Sequence, residues 1–260
     1  MQVAAAAGVA AGTGAAQLGL GYGLGVVVWP VVPGVDDSVW LGSLGWATWI
    51  AASSTVLGAV VAGRLRGGQG ASWRFALAVA AGAGALLTVA LVALPARLTV
   101  RPQTPSPEAV AVGYAAIGVL IGVVIAYWAV FSRPVAANLM VTVGYLWALA
   151  AIAIVVELVT GRDSATYLTS WQFAGSDGGP RYGTISWPSA VLTLLAALLI
   201  GMVAVWPAVR RGHHGVGAAT SGAVGPLLVA AAFLVLAPRL TGALGQLGSA
   251  YLIAPYAVLA

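Results

Sequence analysis

The amino-acid sequence predicts an all-α, polytopic membrane protein: one transmembrane helix bundle of about eight spans over residues 1–260, with no separate soluble domain. Three observations carry that reading. The chain is 61% hydrophobic and only 7% charged, against about 25% charged in an ordinary soluble domain. Its apolar stretches run unbroken for about 20 residues or more, whereas membrane-barrel strands alternate polar and apolar in segments of about ten. Eight spans of about 22 residues would consume about 176 positions and leave only about 84 for turns.

Charged and proline-rich stretches divide the chain into runs at Val3–Val28, Leu41–Gly63, Phe75–Pro95, Val110–Phe131, Val135–Thr160, Ser189–Val209, Val216–Ala237 and Leu240–Ala260. The first carries no charge from Met1 to Leu20, so it lacks the basic start of a cleaved signal peptide and reads as a retained span. The last two are separated only by Pro238 and Arg239, with Pro226 inside the seventh. A re-entrant hairpin is the alternative to two full crossings there. A faint repeat links IGVVIAYWAVFSR at 121–133 to IGMVAVWPAVRR at 200–211, a likeness that shared composition and a shared terminal arginine also explain.

Charge orients the bundle. Arg64, Arg66, Arg74, Arg133, Arg210 and Arg211 fall in turns without any acid, whereas Asp36, Asp37, Glu108, Glu157, Asp163 and Asp177 fall on the other side with the remaining arginines. The positive-inside rule then places both termini in the cytoplasm. Every basic residue is arginine and none is lysine, in a chain rich in alanine, glycine and valine. That usage reads as the coding bias of a GC-rich bacterium, so the expected location is a bacterial cytoplasmic membrane.

Composition also excludes chemistry. Without cysteine there are no disulfides, thiolate metal sites, iron–sulfur ligands or cysteine nucleophiles. Without lysine there is no Schiff base to retinal or pyridoxal phosphate and no phosphate-loop lysine. The scattered arginines do not form a nucleic-acid footprint. No zinc-protease helix, GxSxG elbow or kinase motif occurs. The sequence therefore points away from an enzyme, and no cofactor, metal or nucleic acid is expected.

The remaining candidates are structural or interfacial. Gly8, Gly12, Gly19 and Gly23 in the first run, and Gly118 with Gly122 in the fourth, have the small-xxx-small spacing of close helix packing, inside the bundle or against a membrane partner or second copy. Gln17 with Ser53, Ser54 and Thr55, joined by Asn138 and Thr142, would line a polar passage if the chain conducts a solute; otherwise each bonds a carbonyl or a neighbouring helix. Glu157 is the one ionisable residue inside a run, and its place near the outer end favours an ion pair with Arg162 over an intramembrane relay.

The outer segment 161–187 is the longest connection and the natural place for recognition. Asp163 is positioned to cap a short interfacial helix through Phe173, with Tyr167, Leu168 and Trp171 on one face and GSDGG at 175–179 as a turn. Trp29, Trp40, Trp73, Trp128, Trp187 and Trp206 lie near span ends as interfacial anchors do. Asp36–Asp37 reads as a solvated turn that caps the next helix, and His213–His214 as a basic turn touching anionic headgroups. Together these features favour a non-catalytic accessory or scaffolding subunit of a bacterial envelope complex, in contact with membrane lipids. A small permease or channel for a neutral or apolar solute is the alternative.

Overall fold

The computed structural model describes the whole chain except residues 33–36, 66–69, 102–103, 162–165, 170, 172–180, 183–184, 213–214 and 241–245. Its long helices are α1 (Gln2–Gly23), α2 (Asp37–Arg64), α3 (Ala71–Ala96), α4 (Pro107–Phe131), α5 (Arg133–Thr160) and α6 (Trp187–Arg210). They are followed by the single turn α7 (Val216–Ala219), then α8 (Ser221–Leu236) and α9 (Gln246–Leu259). A two-residue antiparallel pairing of Arg181–Tyr182 with Ile185–Ser186 is the one strand pairing among the described residues.

Among the described residues, 7 helices are long and apolar enough to cross a membrane, the seventh being α8 continued by the 3-10 turn Ala237–Arg239. The chain is thus a helical membrane protein with several spans. The eighth expected run differs. α9 has 14 residues, about 21 Å at the helical rise, which falls short of a hydrocarbon core of about 30 Å. Pro255 lies within it.

α1 to α4 form one tightly packed group in which α2 touches α1, α3 and α4, and α5, α6, α8 and α9 form a second group against it. α2 joins the two, because α5 and α8 also rest on it. It is consequently the most enclosed span, with 89% of its apolar window buried, whereas the window of α1 is 28% buried.

Polar bonds fix which ends coincide. At one end the Gln2 amide donates to the Ala62 carbonyl (3.4 Å) and accepts from Trp73 Nε1 (2.9 Å), which gathers the start of α1, the end of α2 and the start of α3. At the opposite end Tyr22 of α1 donates to the Leu91 carbonyl of α3 at 3.4 Å. Arg101, before α4, pairs with Asp37 at the start of α2.

The α1–α2 connection tucks into that opposite end. Ser43 Oγ donates to the Val28 carbonyl (2.7 Å) and accepts from the Val28 N–H (2.9 Å), and Trp29 Nε1 donates to Tyr22 at 3.2 Å. Trp29 and Trp40, expected as interfacial anchors, are buried instead. Their rings meet edge to face at 5.2 Å, and the Arg101 guanidinium lies 5.3 Å over Trp40. Trp187 and Trp206 remain exposed.

Candidate functional site

The polar residues of α1 and α2 converge at the middle of the first helix group. Gln17, Ser53, Ser54 and Thr55 are all buried, the last three completely. Gln17 Oε1 accepts from Ser53 Oγ at 3.1 Å and from Trp147 Nε1 of α5 at 3.0 Å. The Trp147 ring lies 5.3 Å from that of Trp46. One amide oxygen therefore ties three helices together. Ser54 and Thr55 donate to the Ala51 carbonyl at 3.0 and 2.8 Å, and Ser53 also reaches the Ile50 carbonyl at 3.3 Å.

These bonds turn hydroxyls toward the backbone one turn earlier rather than toward an open path. The cluster is built from hydroxyls, indoles and an amide, none of which exchanges a proton near pH 7. It suits a register lock. The same holds for Asn138 and Thr142: Thr142 Oγ1 donates to the Asn138 carbonyl at 2.9 Å. Asn138 itself donates to the Gly222 carbonyl (3.3 Å) and accepts from the Gly225 N–H (2.8 Å), which clamps α8 onto α5.

The glycines fall into two groups. A Cβ on Gly118 would stand 2.3 Å from the Thr48 carbonyl oxygen, and one on Gly122 2.7 Å from that of Ala52. α4 and α2 therefore touch backbone to backbone. At Gly8, Gly12, Gly19 and Gly23 a Cβ would meet nothing within 4 Å. Within this chain α1 packs its other small face, Ala6, Ala10, Gly14, Gln17 and Gly21. The glycine face, with Ala4 and Ala16 in line, is exposed.

Glu157 is half-buried in the last turn of α5, and its carbonyl accepts from the N–H of Gly161, which caps the helix in the left-handed conformation at φ 64°. Arg162 lies outside the described residues. Glu157 thus sits at a helix end, not at mid-span. We expect Glu157→Gln to change detergent thermostability by no more than about 1 kcal/mol, as interfacial pairs do. A larger loss would indicate a carboxylate with a buried role.

Residues 166–169 and 171 of the α5–α6 connection fold onto the bundle. The Thr166 carbonyl accepts from Trp46 Nε1 at 2.9 Å, and Tyr167 donates its hydroxyl to Ser38 at 2.8 Å. Tyr167 also covers Gly42, where a Cβ would lie 2.8 Å from its ring. Leu168 is buried and the Trp171 ring lies 6.2 Å from Tyr145. The helix expected over 163–173 is not formed at residues 166–169 or 171, where Thr169 takes a φ of 60°. Hydrogen bonds and a buried leucine hold this stretch more firmly than an isolated short helix would be held. Phe173 lies outside the described residues, as do Asp36, His213 and His214.

No protein family, curated protein or solved structure matches the chain. Its function therefore has to be read from its own geometry.

One grouping is invisible in the sequence. Arg64 at the end of α2, Arg133 at the start of α5 and Arg211 after α6 are dispersed along the chain and read individually as orientation signals. In the fold they line one cleft of about 1220 Å³. Only the absence of acids from those turns hinted at a shared role.

Proposed function

We propose that the chain is a non-catalytic scaffolding or accessory subunit of an envelope complex in a bacterial cytoplasmic membrane. In this reading the end that gathers Arg64, Arg133 and Arg211 faces the cytoplasm, following the positive-inside rule. The observation that carries the proposal is the outward face of α1, where Ala4, Gly8, Gly12, Ala16, Gly19 and Gly23 present no bulk. A helix from a partner chain can approach such a face closely, gaining dispersion contact and weak Cα–H bonds that lipid tails do not match. The satisfied hydroxyls of Ser53, Ser54 and Thr55 support the same reading over a conducting path, because a solute would have to displace intrahelical bonds.

A photo-crosslinking amino acid at Gly12 or Gly19 tests this in intact membranes. The expected result is a protein adduct of discrete mass from these positions and none from Leu158 or Leu199, which are also exposed. Adducts to lipid alone at every position would refute a partner on α1. Solute movement by the purified chain in liposomes would favour the permease instead.

A further inference from the structure

We propose that the cleft between the ends of α2, α4, α5 and α6 is a binding site for the headgroup of an anionic phospholipid. Arg64, Arg133 and Arg211 line it, and its walls are apolar, formed by side chains such as Val60, Ala136, Ala204 and Pro207. Ser132, the hydroxyl in the lining, is occupied: it donates to the Gly217 carbonyl at 3.3 Å, pinning α7 to the α4–α5 turn.

Charge selects the sign of the occupant. None of the six acids of the chain lies in the turns at this end, and the ion pair of Arg101 with Asp37 lies at the other end. Three guanidiniums without carboxylates, against low-dielectric walls, concentrate a positive field. Guanidinium forks match phosphate oxygens in pairs.

The walls select an amphiphile. A free phosphate would engage the arginines but leave the Ala, Val and Pro surface uncovered, whereas a lipid covers it with acyl chain. The depth agrees: Trp206 of α6 is exposed, with Arg210 stacked 4.7 Å over its ring, the arrangement of an interfacial anchor, and the next residue, Pro207, belongs to the cleft. The arginines therefore stand at the level where lipid phosphates lie. This inference is independent of the partner proposed for α1.

Native mass spectrometry of the purified full chain in detergent, titrated with phosphatidylglycerol, phosphatidylcholine or inorganic phosphate, tests it. Phosphatidylglycerol should bind saturably and at least about tenfold more tightly than phosphatidylcholine. Each arginine near an anionic headgroup contributes about fivefold, so Arg133→Gln with Arg211→Gln should weaken phosphatidylglycerol about 25-fold. Arg97→Gln with Arg239→Gln, which removes the same charge from the opposite side, should leave it unchanged. Where the first double variant is unstable, Arg64→Gln at an exposed helix end should cost about fivefold by itself.

Equal binding of the two lipids, or equal loss in both double variants, would overturn the site. So would inorganic phosphate displacing phosphatidylglycerol at comparable concentration, or an acidic segment of a co-purifying protein occupying the cleft.

Discussion

Gly118→Leu is expected to abolish recovery of folded, monodisperse protein in detergent. The first side-chain atom would already lie 2.3 Å from the Thr48 carbonyl oxygen and 3.0 Å from its Cα, so the obstacle is backbone that cannot rotate away. Even Gly118→Ala should cost about 1–3 kcal/mol, the usual range for overpacking. Gly84→Ala should behave alike, since its Cβ would stand 2.0 Å from the Ala7 carbonyl oxygen. Gly19→Leu supplies the contrast. Its Cβ meets nothing within 4 Å, and leaving glycine gains up to about 1 kcal/mol of helix propensity. The isolated chain should therefore melt at or above the wild-type temperature. A Gly19→Leu variant that melts normally when purified but fails to assemble in the membrane would be the result expected of the proposed partner contact on that face.

The second large effect is expected at Asn138. Its buried side chain holds α8 through both amide atoms, to the Gly222 carbonyl and the Gly225 N–H. Asn138→Leu removes both bonds while keeping the branched heavy-atom shape of the side chain. It also drives a branched methyl toward Gly225, where a Cβ would be only 2.4 Å from Asn138 Oδ1 and 2.1 Å from Thr142 Oγ1. Each buried group left unsatisfied costs about 1–3 kcal/mol, so the second helix group should loosen before the first. Limited proteolysis can follow this: cleavage near Arg210–Arg211 should accelerate several-fold while the α2–α3 turn is cut at its wild-type rate. Unchanged cleavage would show that packing alone docks α8.

The helices were legible because bilayer thickness imposes length, and the run at Leu41–Gly63 falls within α2 at 37–64. The facing of each helix was far less legible. In a soluble protein polarity separates the inner from the outer face, but here both are apolar, and side-chain volume decides. α1 illustrates the difficulty, because it has two small faces four residues in period. Counting glycines selects Gly8, Gly12, Gly19 and Gly23. The structure packs Ala6, Ala10, Gly14, Gln17 and Gly21. Gln17 was the signal, since a polar side chain on a span turns toward protein and carries its face with it. Trp29 and Trp40 were misplaced for a related reason: their nearness to span ends is readable, but a connection that folds inward is not. The arginine cleft depends on three turns far apart in the chain, and no local pattern records their meeting.

The enclosure of α2 has a consequence for how the protein is made. α2 leaves the ribosome before α3, α4, α5 and α8 exist, so the helix that ends up most surrounded by protein begins its life against lipid. Hydroxyls that waited for those later neighbours would be stranded during insertion. Thr48, Ser54 and Thr55 instead donate to carbonyls three or four residues back on the same helix. They carry their own partners through the translocon, and the assembling bundle needs only to close around them.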